Sequence, residues 1–217
     1  TDNATSQHYS LYIPKKAKEN MPLIVVVPSS TGNYSQTSQV FKNLELHNLN
    51  AFLVVVESGA DKESSRKAII NQIDQLVSEY KLNENAISVT GFSSSGSYVY
   101  NLVLNNKGKF AALVPVSSGY SFSNLSQEDI AYLKSLPMRG YGEKGGKYDA
   151  SGKACAGWTN WSPATSMTKM FTGLGKIADF TDLGGICHNT VMNTTFGIDE
   201  NNDGLSDILE WMSEQKK

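Results

Sequence analysis

A serine at a sharp turn is the first feature of the sequence that could do chemistry. Residues 86–96 read A-I-S-V-T-G-F-S-S-S-G, a short apolar strand followed by apolar residues at helical spacing. Gly91 permits a tight reversal, so Ser93 is predicted to lie between strand and helix with its hydroxyl exposed. We therefore predict Ser93 as a nucleophile. The usual G-x-S-x-G pattern has glycine at the position of Ser95, and here the glycine comes one residue later, at Gly96.

A nucleophilic serine needs a base, and the chain has three histidines. A serine hydroxyl is a weak nucleophile until an imidazole takes its proton. His8 lies near the start of the chain and His47 on the polar side of a predicted helix, so both are interpreted as solvated side chains. His188 follows a predicted strand and a Gly-Gly pair near the end of the chain. We predict His188 as the general base, in the chain order serine, acid, histidine.

The third requirement is a carboxylate that orients the imidazole and stabilises its charged form. It is expected after the predicted strand at residues 138–141. Glu143 is the favoured candidate and Asp149 the second. Asp179 and Asp182, just before the loop that carries the histidine, remain open alternatives.

Alternating strands and helices are predicted to position these residues. The pattern predicts an α/β fold with a mostly parallel central sheet and helices on both faces, because buried apolar runs alternate with amphipathic segments. Without a repeat or a composition break, residues 1–217 are predicted to form a single domain. The predicted strands are residues 7–14, 23–27, 51–56, 111–116, 138–141 and 177–180, with a further short strand at residues 86–89 before the reversal at Gly91. The predicted helices are residues 40–49, 66–80, 97–103, 127–133, 167–174 and 205–214.

Composition narrows the function classes. The 217 residues are 40% hydrophobic, enough for one sizeable core. A net charge of -2 gives no basic field, which argues against nucleic acid or an anionic membrane as partner. No apolar run approaches the length of a membrane span. The chain begins at Thr1 without methionine, from which we expect that a leader was removed or left out; the sequence leaves the oligomeric state open.

Six segments together resemble a known family. They are Y-S-L-Y-I-P, P-L-I-V-V-V-P-S-S-T-G-N, I-S-V-T-G-F-S-S-S-G-S-Y-V, F-A-A-L-V-P-V-S-S-G, C-H-N-T and L-E-W-M. The chain resembles the α/β-hydrolase lineage of secreted carbohydrate esterases, which includes feruloyl and acetyl-xylan esterases and polyhydroxybutyrate depolymerases. The resemblance implies an α/β-hydrolase fold, a secreted or cell-surface location, and a serine esterase that acts through an acyl-enzyme without a catalytic cofactor. The expected substrate is a small-molecule or polysaccharide ester.

The resemblance also assigns an oxyanion hole and leaves a second function open. The backbone N–H groups of Ser94 and of Ser29 or Ser30 would bind the oxyanion. The chain departs from the family where Pro28-Ser29 replaces His-Gly, where Gly145 takes the place of an aspartate, and at Ser95. A catalytically weak relative that binds glycans or a protein partner through the same cleft is therefore the alternative.

Two further pairs of residues have open interpretations. Trp158 and Trp161 could stack on a sugar or aryl ring, or could form a small satellite core. Cys155 and Cys187 suit either redox compartment, and their spacing alone does not decide whether they form a disulfide. A bridge between them would stiffen the loop of His188.

A calcium-loop pattern lies near the end of the chain. The pattern D-x-[DN]-x-[DN]-G-x5-E is matched from Asp199 to Glu210 and places oxygen ligands around a sharp glycine turn. It predicts a structural calcium site. The same residues also favour a turn and a helix cap without metal. The predicted ligands are Asp199, Asn201, Asp203, Asp207 and Glu210.

Overall fold

One sheet organises the part of the chain that the structure, a computed structural model, describes. That part comprises residues 8–28, 34–43, 46–57, 62–146, 154–155 and 162–217. Its seven strands are β1 (Tyr9–Tyr12), β2 (Leu23–Val27), β3 (Phe52–Val56), β4 (Ile87–Phe92), β5 (Ala112–Val116), β6 (Gly140–Gly142) and β7 (Phe180–Asp182). Their order in the sheet is β1-β3-β2-β4-β5-β6-β7. β1 is antiparallel to β3, and the other neighbours are parallel.

Helices cover both faces of the sheet, which confirms the predicted layering. They are α1 (Tyr34–Asn43), α2 (Glu63–Tyr80), α3 (Ser94–Leu104), α4 (Gln127–Ser135), α5 (Pro163–Gly173), α6 (Val191–Phe196) and α7 (Asp207–Glu214). Successive side chains of a strand point to opposite faces. Accordingly, Val25 packs in a core with α2, α3, α4 and α5, and Val26 packs in a second core with α1, α6 and α7.

The buried strands are the elements that the sequence predicts best. β2 coincides with the prediction, and β3 and β5 each begin one residue later than predicted. β4 begins as predicted, within one residue, but continues through Gly91 to Phe92, beyond the predicted reversal. Continuous apolar runs are typical of parallel strands buried on both faces, and such runs leave little choice of boundary.

Several shorter elements differ from the sequence prediction. β1 (Tyr9–Tyr12) is shorter than the predicted strand at residues 7–14, and β6 (Gly140–Gly142) begins two residues later than the strand predicted at residues 138–141. Residues 177–180 were predicted as a strand, but Ile177–Asp179 forms a 3-10 turn and the strand follows as β7. The first predicted helix lies earlier in the chain, as α1, with a 3-10 turn at Leu46–Asn48. The pattern also misses α6, whose sequence V-M-N-T-T-F is short and rich in β-branched residues. α6 is helical because its buried side chains pack between α1 and α7.

Among the described residues, no helix combines the length and apolar character needed to cross a bilayer.

Candidate active site

Ser93 occupies a strained turn at the carboxyl edge of the sheet. It lies between β4 and α3 with φ 57° and ψ −121°, a positive φ for a residue that is not glycine. Such a backbone costs on the order of 1–3 kcal/mol and persists only where the surroundings enforce it. Here the N–H of Ser93 donates to the carbonyl of Val116 on β5 at 3.0 Å, and the N–H of Gly96 donates to the carbonyl of Ser93 at 2.9 Å. The side chain of Ser93 is partly exposed, as a nucleophile requires.

Two glycines allow strand and helix to pack this closely. A Cβ at Gly91 would lie 2.4 Å from the carbonyl oxygen of Ser95 and 2.7 Å from a methyl carbon of Val99. A Cβ at Gly96 would lie 2.3 Å from the Cβ of Ser118. Both positions therefore require glycine, because the clashing atoms include backbone and Cβ atoms that cannot move aside.

The serine at position 95, where the resembling family has glycine, is accommodated by a specific contact. Ser95 is fully buried, and its hydroxyl donates a hydrogen bond to the carbonyl oxygen of Pro28. Pro28 directly follows β2. The substitution thus ties the first turn of α3 to the start of the loop in which the oxyanion donors were predicted.

The structure brings Ser93, His188 and Glu143 together. The Nε2 atom of His188 lies 2.9 Å from the hydroxyl oxygen of Ser93. On the other side of the ring, Nδ1 lies 2.7 Å from Oε1 of Glu143. Glu143 is completely buried, whereas the His188 side chain remains 11% exposed. Carboxylate, imidazole and hydroxyl thus stand in a continuous row, the arrangement that Ser-His-acid triads require.

Backbone hydrogen bonds hold the loop of the acid against the loop of the base. The N–H groups of Lys144 and Gly146 donate to the carbonyls of Gly184 and Ile186, both at 2.9 Å. The N–H of Leu183 donates to Gly142 at 2.8 Å. Because Glu143 lies directly after β6 within this interlocked pair of loops, its carboxylate reaches the imidazole.

Two other contacts fix the base loop. Cys187, the residue before His188, forms a disulfide with Cys155, with a Cα–Cα distance of 5.4 Å. The pairing that the sequence left open is therefore made. Lys144 forms an ion pair with Asp182 at 2.5 Å, and this contact, with the N–H of Gly184, lowers the pKa of Asp182. Asp182, one of the alternatives for the acid, thus pairs with Lys144, whereas Glu143 contacts His188.

An aromatic ring covers the imidazole. Phe92, the residue before Ser93, stacks on His188 with ring centroids 4.8 Å apart and an interplanar angle of 27°. The contact restricts the plane of the imidazole and shields one of its faces from water. The two rings can stack because the side chain of Phe92 points toward His188.

Ser117 is a site residue that the sequence pattern does not predict. Its hydroxyl donates to Oε2 of Glu143 at 2.6 Å and lies 3.0 Å from Nδ1 of His188. The sequence feature that could have identified Ser117 is its position directly after β5, at the same sheet edge as Ser93. Two parallel strands that are neighbours bring the residues after their carboxyl ends close together.

The remaining predicted site residues have different outcomes. Ser94 begins α3, so its backbone N–H lies in the first helical turn, next to Ser93. Asp179 ends the 3-10 turn before β7. The predicted residues Ser29, Ser30, Asp149, Trp158 and Trp161 lie outside the described part of the chain.

The acidic loop before α7 binds its own backbone. Asp199 accepts hydrogen bonds from the N–H groups of Asp203 at 3.1 Å and Gly204 at 3.0 Å. Asp203 accepts from Leu205 at 2.8 Å, and Asp207 accepts from Glu200 at 3.0 Å. These carboxylates therefore stabilise a turn between α6 and α7.

The predicted calcium site gains no support from this arrangement. Within the described residues, no three His, Cys, Asp or Glu side chains converge in a way that could hold a metal ion. Asn201 accepts a hydrogen bond from the backbone of Asp203. Burial, followed by the nearby charge of Asp203, raises the pKa of Glu210. The described hydrogen bonds are those of the turn that the same sequence pattern favours.

Comparisons of the structure identify the fold. No protein-family model and no curated protein matches the sequence. Among solved structures, a thermostable esterase superposes with a TM-score of 0.68 at 19% identity, over 96% of this chain and 59% of its own. The poly(3-hydroxybutyrate) depolymerase LpqC from Bordetella parapertussis superposes with a TM-score of 0.63 at 12% identity, over 87% of this chain and 81% of its own. A ferulic acid esterase superposes with a TM-score of 0.63 at 9% identity, over 95% of this chain and 91% of its own.

These similarities show that the chain has the α/β-hydrolase fold, as its sequence resemblance implied. The chain spans less than two thirds of the thermostable esterase, and it spans most of the other two proteins.

Proposed function

We propose that the protein is a serine carboxylic ester hydrolase with Ser93 as nucleophile, His188 as general base and Glu143 as the orienting acid. The observation that carries the proposal is the continuous contact from the buried carboxylate of Glu143, through both nitrogens of His188, to the hydroxyl of Ser93. A buried carboxylate at Nδ1 favours the tautomer with a proton there, which leaves Nε2 free to accept the proton of Ser93.

The proposed reaction has two steps. The hydroxyl oxygen of Ser93 attacks the ester carbonyl carbon while its proton passes to Nε2 of His188. The tetrahedral intermediate collapses, the alcohol leaves with that proton, and an acyl-enzyme remains. Water then attacks the acyl carbon and gives a proton to Nε2. The carboxylic acid leaves, and the proton returns to Ser93.

The oxyanion of each tetrahedral intermediate would be bound by backbone N–H groups. The backbone N–H of Ser94, in the first turn of α3, would donate one hydrogen bond to the oxyanion. Ser29 or Ser30 would supply the second, and the hydrogen bond from Ser95 to Pro28 fixes the start of their loop. One such donor is worth about 3–4 kcal/mol of transition-state stabilisation.

For the substrate class, we propose esters attached to carbohydrates or contained in related polymers. The support is the structural similarity to proteins named as a ferulic acid esterase and a poly(3-hydroxybutyrate) depolymerase, together with the sequence resemblance. The stacking of Trp158 and Trp161 on a substrate ring belongs to this proposal. The disulfide between Cys155 and Cys187 supports a secreted or surface location, because such bonds persist in oxidising compartments.

The test is hydrolysis of p-nitrophenyl acetate and butyrate by the wild-type protein and Ser93→Ala. We expect the variant to lose at least about a thousandfold in kcat, because the nucleophile is lost, and to keep its melting temperature. Ser135→Ala, at the exposed end of α4, is the control and should keep full activity. Equal turnover by the Ser93→Ala variant would refute the assignment. A folded wild-type protein that hydrolyses neither ester would favour the alternative, a weak relative that binds glycans or a protein through the same cleft.

A further inference from the structure

The carboxylate of Glu143 uses its two oxygens on different partners. Oε1 contacts Nδ1 of His188, whereas Oε2 accepts the hydroxyl proton of Ser117 at 2.6 Å. Glu143 is completely buried. Burying an ionised carboxylate is costly unless its oxygens accept hydrogen bonds. Ser117 therefore supplies the polar partner of the carboxylate oxygen that does not contact the imidazole.

The hydroxyl of Ser117 also faces the imidazole itself. Its oxygen lies 3.0 Å from Nδ1 of His188. Because its proton is committed to Oε2, the oxygen can meet Nδ1 only as an acceptor. Nδ1 thus faces two acceptors, Glu143 and Ser117, and both favour the tautomer that carries a proton on Nδ1.

The backbone of Ser117 fixes this hydroxyl in place. Ser117 follows β5, is fully buried, and has φ 55°, an uncommon value for a residue with a side chain. Its N–H donates to the carbonyl of Tyr141 on β6 at 2.6 Å. The residue is therefore held between β5 and the strand that leads directly to Glu143.

The position of Ser117 argues against its acting as the nucleophile. It contacts the imidazole at Nδ1, on the side of the acid, and is inaccessible to an ester. Ser93 contacts Nε2 and is partly exposed. The two serines therefore have different relations to the same ring.

We propose that Ser117 is a positioning residue for the reaction. Its hydroxyl orients the carboxylate of Glu143 and selects the Nδ1-protonated tautomer of His188, so that Nε2 is free for Ser93. The proposal rests on the serine hydrolase function proposed above.

Two variants separate the hydroxyl from the backbone strain. Ser117→Ala removes the hydroxyl and keeps the strained φ, whereas Ser117→Gly removes the hydroxyl and relieves the strain. We expect both to lose about 10- to 100-fold in kcat with little change in KM, because a buried hydrogen bond to a charged group is lost. If only the backbone mattered, Ser117→Gly would keep wild-type kcat, which would overturn the proposal.

The neighbouring serine provides the matched control. Ser118 is also buried, and its hydroxyl lies 3.0 Å from that of Ser97 instead of contacting Glu143 or His188. Ser118→Ala should keep kcat within about twofold. A loss in Ser118→Ala equal to that in Ser117→Ala would overturn the proposal, since general loosening of this segment would then explain both. Circular dichroism melts establish that each variant is folded.

A spectroscopic measurement keeps this test independent of turnover. In the wild-type protein, proton NMR should show a far-downfield resonance from the Nδ1–H of His188, which His188→Gln should abolish. We expect the resonance to shift or broaden in Ser117→Ala and Ser117→Gly but not in Ser118→Ala. An unchanged resonance would overturn the positioning role. Absence of ester hydrolysis in the wild-type protein, with the resonance present and sensitive to Ser117, would instead refute the proposed function alone.

Discussion

Oε1 of Glu143 lies 2.7 Å from Nδ1 of His188. The glutamate is completely buried, so water does not reach its side of this contact. A glutamate reaches the imidazole because it directly follows β6, where the chain is hydrogen-bonded to the base loop. The sequence resemblance had placed the acid of the family at Gly145, two residues later than the glutamate that makes this contact.

This contact predicts the effect of neutralising the acid. Glu143→Gln keeps the size of the side chain but offers its amide group to the imidazole, which permits the wrong tautomer. We expect kcat to fall by about 10³- to 10⁴-fold with little change in KM, as measured with a p-nitrophenyl ester. Glu79→Gln, on α2 and remote from the triad, is the control. A Glu143→Gln variant with more than half of the wild-type kcat would remove Glu143 from the catalytic set.

The hydrogen bond between Ser95 and Pro28 predicts a coupled loss of stability and activity. Ser95→Ala removes a buried hydroxyl that donates to the end of β2. We expect a loss of about 1–2 kcal/mol in the free energy of unfolding, measured by urea denaturation, together with a lower kcat. Thr90→Val is the matched control, because it also removes a buried hydroxyl that donates to a strand carbonyl, that of Val114 at 2.7 Å.

The two variants distinguish a local effect from a general one. Thr90→Val should lower stability without lowering kcat, because its hydroxyl lies within the sheet. If both variants reduce kcat equally, the contact between Ser95 and Pro28 has no special relation to the site.

The disulfide predicts a stability contribution at the base loop. The bond between Cys155 and Cys187 closes a loop of sequence separation 32. Replacing both cysteines by serine should lower the free energy of unfolding by roughly 3–4 kcal/mol, since the unfolded chain regains the entropy that the bond removed. Urea denaturation of the wild-type protein with and without reductant should reproduce this difference. The double variant should not respond to reductant, and a response would contradict the assignment.

The start of α4 predicts a pH-dependent stability difference. Contacts from Lys107 at 2.8 Å and Ser126 at 2.7 Å lower the pKa of Asp129 from its ordinary 3.8 to about 2. A lowered carboxyl pKa stabilises the fold above pH 3.8, and this contribution disappears as the pH falls toward 2. Asp129→Asn should therefore lower the melting temperature at pH 6 and much less at pH 2. A difference of equal size at both pH values would contradict this explanation.

The parts of the site formed by residues close together in the sequence could be predicted from the sequence. The turn at Ser93 depends on a buried strand, Gly91 and a following helix, all within a few residues. For the acid, the sequence favoured Glu143 over Asp149 and left Asp179 and Asp182 open as alternatives. That choice depends on how the loop after β6 pairs with the loop of His188.

Ser117 and α6 could not be predicted for a related reason. The role of Ser117 requires β5 to lie beside β6, which is a property of the sheet order and not of the local sequence. The helix α6 forms although its residues favour strands, because tertiary packing outweighs such weak local preferences. The disulfide likewise depended on the distance between two segments that are separated along the chain.

The central claim is most directly tested by identifying the residue that reacts with a fluorophosphonate probe. The intact protein is incubated with the probe, digested, and mapped by mass spectrometry, with Ser93→Ala and Ser117→Ala treated in parallel. We predict a single adduct on Ser93, its loss in Ser93→Ala, and slower labelling at the same residue in Ser117→Ala. An adduct on Ser117, or no labelling of the folded wild-type protein, would contradict the claim that Ser93 is the nucleophile of a working triad.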